Sequence, residues 1–320
     1  MLRVLSIAVA LLLACSAGRA EITFGSAHAI VVDETTGEVL LQKDGGTAAP
    51  IASLTKLMTA MVVLDAQQDT SEKLRIAAAD MDRLKHTRGG VPLGAVVSRG
   101  TLLELALLAS DNHAASALAR HHPGGIDAFN AAVQQKIVAL GLENTSIEEP
   151  TGLSPNNRSS AQDMVKVLRA ATSYPEIARI TSLRRHAVVV NGHRWAVRNT
   201  NGLVGSQGWT ILLSKTGFTN EAGRCLSMRV QAAGRTVMVV LMGAVGSSDR
   251  ALDALNIRRW LSGEAPVATR ADKAHSRLMA NRKRSAQTPI VETTSEIVVP
   301  PTPSFVDPGS ETPPYDDIET

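Results

Sequence analysis

Strand-like runs near both ends of the apolar part of this chain are the feature that most constrains its fold. Apolar runs at residues 29–32 and 39–41 flank a polar segment that contains Gly37, and this pattern predicts a β-hairpin. Strand-like patterns then return only in the second half of the chain, at residues 187–190, 209–214, 225–231 and 237–242. Early and late strands separated by a long insertion are expected to meet in one sheet.

The segment between these strands has helical spacing of its apolar residues. A helix is predicted to begin at Ser53, so that this serine lies in the first turn. Further helices are predicted over residues 102–120, 126–140, 161–171 and 249–261. The whole pattern predicts an α+β fold, with an antiparallel sheet flanked by helices, a helical lobe, and a functional site between sheet and lobe.

Changes in composition divide the 320 residues into three regions. Residues 1–20 form a predicted signal peptide, residues 21–264 a folded domain, and residues 265–320 a tail that is first basic and then proline-rich and acidic. The tail lacks apolar periodicity, which predicts disorder. It is either a plain soluble tail or an arm that weakly binds anionic lipid or cell-wall polymer.

The N-terminal region predicts export. It has one positive charge, at Arg3, then an apolar run at residues 4–14 that is too short for a comfortable membrane span. We expect cleavage after Ala20, although residues 12–15 also resemble a lipoprotein cleavage box that would leave a lipid on Cys15. The protein is therefore expected in the periplasm, or otherwise secreted to the envelope side of the membrane.

Cysteine, histidine and charge exclude several classes of function. Removal of residues 1–20 would leave Cys225 alone, so no internal disulfide is possible, and its apolar neighbours predict a buried side chain. The sequence shows neither a zinc-ligand spacing nor a phosphate-binding glycine loop, so no metal and no cofactor is predicted. A net charge of +3 does not indicate nucleic-acid binding.

Ser53 and Lys56 are the first of three chemically suggestive groups. Residues three apart on a helix share one face, so an amine would lie beside a hydroxyl. The lysine could activate the serine only if burial or a second cation, such as Lys215, lowered its pKa. A serine at a helix start is also an ordinary N-cap.

The second group is Ser110-Asp111-Asn112, after the apolar residues 102–109. All three residue types favour helix caps, and a structural role would explain them. In a functional role, Ser110 would relay a proton to a leaving amine and Asn112 would hold the substrate backbone, both near Lys56. Asp111 is expected to point away and to be structural.

The third group is Lys215-Thr216-Gly217, which is expected to end the strand at residues 209–214. Such a polar cluster can be only a turn. On a sheet edge, however, Lys215 and Thr216 could bind a substrate carboxylate while the backbone pairs with a peptide, and Gly217 would permit close approach.

The three groups occur in the order that is the signature of class A β-lactamases and penicillin-binding proteins. The chain resembles the penicillin-binding D-alanyl-D-alanine carboxypeptidase family, peptidase family S11. The sequences of its motifs are most similar to those of the periplasmic D-alanyl-D-alanine endopeptidase branch. Further runs carry this resemblance, at residues 36–40, 50–60, 149–157 and 215–226. It extends over about residues 28–261.

The resemblance implies a serine peptidase acting on peptidoglycan stem peptides, inhibited by β-lactams and active in cell-wall remodelling. It implies catalytic roles for Ser53, Lys56 and Ser110, with substrate binding by the residues Asn112, Lys215, Thr216, Gly217 and Phe218. The backbone N–H groups of Ser53 and Phe218 would form an oxyanion hole. Phe218 stands where the family pattern has tyrosine. The second β-rich domain and C-terminal anchor of some relatives are not expected.

Two other functions fit the same motifs. A class A-like β-lactamase would need a carboxylate to activate a deacylating water, and Glu148 and Glu149 are the candidates. A catalytically silent protein that binds peptidoglycan or senses penicillin would keep the fold without the reaction. Because carboxypeptidase and endopeptidase reactions begin with the same acyl-enzyme, the sequence leaves the choice between them open.

Overall fold

The computed structural model describes residues 22–85, 87, 90–268 and 279. The elements given below lie within one compact unit, Met1–Ser276. The predicted signal peptide, Cys15 and nearly all of the predicted tail fall outside the described residues.

The strands form one central sheet and three small antiparallel pairs. In chain order they are β1 (His28–Asp33), β2 (Val39–Lys43), β3 (Ala49–Pro50), β4 (Lys73–Arg75), β5 (Val96–Ser98), β6 (Arg158–Ser159), β7 (Arg185–Val190), β8 (His193–Arg198), β9 (Thr210–Thr219), β10 (Gly223–Ala232) and β11 (Arg235–Ala244). The central sheet has the order β2-β1-β11-β10-β9 and is antiparallel throughout. The early hairpin therefore pairs with the last strand, and β9 is an edge strand.

Seven α-helices surround this sheet in the described part of the chain. They are α1 (Thr55–Asp65), α2 (Arg99–Leu108), α3 (Asn112–Arg120), α4 (Gly125–Ala139), α5 (Ala161–Ala171), α6 (Pro175–Ser182) and α7 (Ser247–Leu261). Short 3-10 turns at Ala52–Leu54 and Ala78–Asp80 complete the described helical structure. The predicted α+β class, with a sheet, flanking helices and a helical lobe, is confirmed.

Successive side chains of β1 enter two different cores, one on each face of the sheet. Ile30 and Val32 enter the core shared with α1 to α6, whereas Ala29 and Val31 enter a second core packed against α7. Successive side chains of a strand point to opposite faces, so a strand covered on both faces must be apolar at every position. The uninterrupted apolar runs in the sequence are the consequence.

Three predictions of local structure need correction. The strand predicted to end at residue 214 continues to Thr219, so Lys215 to Gly217 lie inside β9. The helical pattern over residues 102–120 is two helices, and the break before Asn112 falls at Ser110-Asp111-Asn112, whose residue types had indicated helix caps. The sequence patterns also missed α6 and β8.

Two expectations about burial and membranes can be compared with the structure. Cys225 is fully buried, and burial raises the pKa of its thiol to about 11, which disfavours the reactive thiolate. None of the helices in the described ranges is long and apolar enough to cross a membrane.

Candidate active site

Ser53 lies on a tight turn that presents its hydroxyl to the first helix. The 3-10 turn Ala52–Leu54 leads directly into α1, and Ala52 adopts a left-handed backbone with φ 47°. Non-glycine residues in this region cost of order 1–3 kcal/mol and persist only where surrounding structure imposes them. One turn later along α1, the Lys56 Nζ lies 2.9 Å from the Ser53 Oγ.

Lys56 is a buried amine surrounded by oxygen atoms. Besides Ser53 Oγ, its Nζ contacts Asn112 Oδ1 at 2.7 Å and the Thr151 carbonyl oxygen at 2.6 Å. Burial lowers the pKa of Lys56 to about 8, and the Glu149 and Asp111 carboxylates oppose this shift by favouring the charged form. A substantial fraction of Lys56 is therefore neutral near physiological pH.

The three partners of Lys56 decide which hydrogen bond changes when the amine loses its proton. The Thr151 carbonyl can only accept, and Asn112 Oδ1 can only accept because its Nδ2 donates to Thr87 Oγ1 at 3.0 Å. A neutral amine has two N–H donors and one lone pair. The donors stay with these two oxygens, so the lone pair points at the Ser53 hydroxyl, which then donates to Lys56.

The second group forms the break between α2 and α3. Ser110 adopts a left-handed backbone with φ 61°, which redirects the chain between the two helices. Asp111 is the N-cap of α3, where its carboxylate accepts from the Ala114 N–H and also from Gly90 and Val91. As expected, Asp111 is structural. Of its two neighbours, Ser110 contacts Lys215 and Asn112 contacts Lys56.

The third group approaches from the edge strand β9. Lys215 is buried, and its Nζ donates to the Ser110 Oγ at 2.8 Å. Burial lowers the pKa of Lys215 well below its ordinary value, and repulsion by Lys56 and Arg250 lowers it further. The sequence left burial and a second cation such as Lys215 open as causes of a lowered pKa at Lys56, and burial is the largest cause for both amines.

Gly217 brings β9 against the backbone of the serine turn. A Cβ atom added at Gly217 would lie 3.0 Å from the Ser53 amide nitrogen and from the Ile51 carbonyl oxygen. Any side chain would therefore force the strand and the turn apart. The Thr216 hydroxyl donates to the Thr200 hydroxyl at 2.6 Å, on the same strand edge. The structure thus gathers all three motifs at one place.

Sequence reasoning used the loop at residues 149–157 only for the family resemblance and for Glu149 in the β-lactamase alternative, yet the backbone of this loop forms part of the site. Gly152 has φ 86°, and a Cβ added there would lie 2.0 Å from the Ala52 carbonyl oxygen. The same loop supplies the Thr151 carbonyl that contacts Lys56. The run at residues 149–157 was visible in the sequence, but a backbone acceptor carries no side-chain signal.

Both carboxylates at the start of this loop accept hydrogen bonds from it. Glu149 Oε2 accepts from the Thr151 N–H at 2.7 Å and the Thr151 hydroxyl at 2.5 Å, and Oε1 accepts from the Gly152 N–H at 2.6 Å. Glu148 is exposed, and its Oε2 accepts from the Ser154 hydroxyl and from the Asn156 amide. These bonds hold the loop and use both oxygens of Glu149.

Phe218 follows Gly217 and borders a cavity of about 590 Å³ at the turn between β9 and β10. The phenyl ring is half exposed and lies 4.4 Å from the Arg224 guanidinium carbon. Glu221 lines the same cavity and forms an ion pair with Lys85 of the helical lobe. This cavity leaves space for a ligand alongside the end of β9.

The fold and the three motifs place the chain in the class that contains penicillin-binding proteins and β-lactamases. Residues 15–246 match the family model of D-alanyl-D-alanine carboxypeptidase, Peptidase S11. The D-alanyl-D-alanine endopeptidase of Pseudomonas aeruginosa is 40% identical over 270 residues, covering 83% of this chain and 87% of that protein. The D-alanyl-D-alanine endopeptidase of Escherichia coli K12 is 41% identical over 250 residues, covering 78% and 80%.

Solved structures agree with these relatives. The crystal structure of the Streptomyces K15 DD-transpeptidase is similar with a TM-score of 0.69 at 25% identity, covering 75% of this chain and 98% of that one. The chain therefore belongs to the D-alanyl-D-alanine carboxypeptidase family, Peptidase S11. The family resemblance read from the motifs is confirmed.

The loop at residues 149–157 generates a stability prediction. Replacing Glu149 by Gln would turn one acceptor oxygen into an amide NH2 group, a donor that would face backbone N–H donors in either orientation of the side chain. We expect Glu149→Gln to lower the free energy of unfolding by about 2 kcal/mol, measured by urea denaturation.

Glu143→Gln is the matched control for this measurement, because Glu143 is exposed. It should leave the midpoint of unfolding within error of the wild type. Equal stability of the two variants would show that the Glu149 hydrogen bonds do not hold the loop.

Proposed function

We propose that this protein is a serine-type D-alanyl-D-alanine carboxypeptidase/endopeptidase that cleaves peptidoglycan stem peptides through an acyl-enzyme on Ser53. The observation that carries the proposal is the buried Lys56 amine, in contact with both the Ser53 hydroxyl and the Asn112 amide. The family relationship supports the substrate class. The signal-like N-terminus supports action on the envelope side of the membrane, in cell-wall remodelling.

In the first step, neutral Lys56 accepts the proton of the Ser53 hydroxyl while the Ser53 Oγ attacks the carbonyl carbon of the substrate D-alanine. The structure supports this role, because the lone pair of neutral Lys56 points at the hydroxyl. The proton moves to Nζ, and the carbonyl electron pair moves to oxygen. A tetrahedral oxyanion results.

The oxyanion needs N–H donors close to the Ser53 Oγ. The Ser53 amide and the Phe218 amide are proposed to supply them, since Gly217 brings β9 to within van der Waals contact of the Ser53 nitrogen. The Phe218 side chain is not required for this role, which explains why phenylalanine can replace tyrosine. The substrate backbone pairs with the free edge of β9.

Lys215 and Thr216 are proposed to bind the carboxylate next to the scissile amide, and Asn112 to hold the substrate backbone. Collapse of the oxyanion breaks the amide bond, and the leaving amine takes a proton from the Ser110 hydroxyl, whose Oγ lies 2.8 Å from Lys215 Nζ. The proton that Lys56 took from Ser53 then replaces the proton of Ser110, which leaves Lys56 neutral again. The product of this half-reaction is an ester on Ser53. Water, activated by Lys56 in its neutral form, then hydrolyses the ester and restores the serine.

The structure disfavours the β-lactamase alternative. Rapid deacylation would need Glu148 or Glu149 to activate a water. Both oxygens of Glu149 already accept hydrogen bonds that hold the loop at residues 149–157, and the Glu148 side chain is exposed and bonded to Ser154 of the same loop. A silent binding protein is disfavoured for a different reason. The contacts between Lys56 and Ser53 and between Lys215 and Ser110 are complete, and a site without a reaction would not require two buried amines.

Attachment to the envelope through Cys15 or through the basic tail is proposed only as an addition to this function. Both features lie outside the described residues. β-Lactams are proposed as inhibitors, since both oxygens of Glu149 are already hydrogen-bonded within its own loop and their acyl-enzyme on Ser53 would be hydrolysed slowly.

The proposed activity predicts a defined set of products. Purified wild type should convert cross-linked muropeptide dimers to monomers and release D-alanine from pentapeptide monomers, and chromatography with mass detection separates the two reactions. Ser53→Ala should abolish both. Ser206→Ala, at a serine whose hydroxyl donates to the Gly202 carbonyl in a surface turn, is the control and should retain both activities. Cleavage of either peptide by Ser53→Ala would contradict the mechanism.

The pKa of Lys56 predicts the pH dependence. A base with a pKa of about 8 is mostly protonated below that pH, so kcat/KM for dimer cleavage should rise between pH 6 and 8 and level off above. Lys56→Arg, whose guanidinium stays charged, should lower kcat/KM by at least about 10³-fold.

Lys73→Arg is the matched control, because Lys73 is exposed on β4. It should reproduce the wild-type profile. A flat wild-type profile between pH 6 and 9 would contradict the assignment of Lys56 as the base.

A further inference from the structure

Three arginines line a cavity of about 330 Å³ beside the β7–β8 hairpin. Arg185 and Arg198 are paired across the two strands, and Arg184 immediately precedes β7. Arg185 on β7 and Arg198 on β8 are both exposed, so their guanidinium groups reach solvent. The cavity belongs to none of the three motifs.

The charge of this cavity is not neutralised within the described part of the chain. The sequence contains neither aspartate nor glutamate between residues 177 and 220. Nearby Arg179 forms ion pairs with Glu176 and Glu104, but no described side chain pairs with Arg184, Arg185 or Arg198. Three guanidinium groups around one space repel each other, and their planar N–H donors match a carboxylate or a phosphate.

The cavity lies beside the part of the active site that contains Ser110 and Thr216. Arg198 is two residues before Thr200, so their Cα atoms are at most about 7 Å apart. Thr200 accepts from the Thr216 hydroxyl at 2.6 Å, and its N–H donates to the Leu108 carbonyl, two residues before Ser110. The arginines therefore lie beyond Ser110 and Thr216, where the proposed mechanism places the leaving group.

We propose that the cavity lined by Arg184, Arg185 and Arg198 binds a free carboxylate of the second stem peptide in a cross-linked dimer, and so favours cross-link cleavage. This inference rests on the proposed function. When a terminal D-alanine is the leaving group, its single carboxylate is held by Lys215 and Thr216. When a cross-link is cut, the leaving group is a whole stem peptide with further carboxylates beyond the scissile amide.

The test compares two exposed arginines on the same strand. Arg198 lines the cavity, whereas Arg194 does not, and both are exposed on β8. Arg198→Gln should raise KM and lower kcat/KM for a cross-linked dimer about tenfold, the effect of losing one charge-assisted contact. Its kcat/KM for a pentapeptide monomer should be unchanged. Arg194→Gln should leave both substrates unchanged.

A modified substrate tests the same contact from the other side. Amidation of the free carboxylates on the leaving stem, except the one next to the scissile amide, should lower wild-type kcat/KM to the level of Arg198→Gln and should have no further effect on that variant. Equal loss on both substrates, or no loss on the dimer, would overturn the inference. If Arg198→Gln lost binding to phosphatidylglycerol vesicles while dimer kinetics stayed unchanged, the cavity would be a phosphate site instead.

These outcomes are separate from failure of the proposed function. A wild type that cleaves neither the dimer nor the pentapeptide overturns the proposed function and this inference with it. Cleavage of both substrates at wild-type rates by Arg198→Gln overturns the inference alone.

Discussion

The site depends on one physical constraint, the burial of the Lys56 amine among three oxygen atoms. An ammonium group in that place loses its hydration, which lowers its pKa to about 8 and makes the neutral base accessible. Two of its partners, Asn112 Oδ1 and the Thr151 carbonyl, can only accept. The third, Ser53, is then the one group that can donate a proton. In the proposed mechanism, burial and hydrogen-bond geometry together make an ordinary serine reactive.

The rest of the fold keeps these groups at contact distance. Two glycines allow the backbone of β9 and of the loop at residues 149–157 to meet the turn that carries Ser53, where any Cβ would collide. The sheet holds β9 rigid, because β10 and β11 are buried on both faces and paired over their length. Left-handed backbones at Ala52 and Ser110 add local strain that this packing sustains.

Much of this arrangement could be predicted from the sequence. The early hairpin, the helix at Ala161–Ala171 and the meeting of the three motifs follow from periodicity and motif order, because side-chain pattern carries them. The continuation of β9 through Lys215 could not, since polar residues inside a strand resemble a turn. The break at Ser110 is a backbone conformation that no apolar pattern encodes, and the Thr151 carbonyl acts through the main chain. The cavity lined by Arg184, Arg185 and Arg198 could be found only from their placement in three dimensions.

Ser53 is proposed to form a covalent acyl-enzyme that the protein hydrolyses only slowly when the acyl group comes from a β-lactam. Intact-protein mass, followed over time after addition of penicillin to wild type and to Ser53→Ala, tests this proposal. We expect a mass increase of one penicillin on the wild type, persisting long after mixing, and none on Ser53→Ala. Rapid turnover of penicillin without a lasting adduct, or an adduct that also forms on Ser53→Ala, would contradict it.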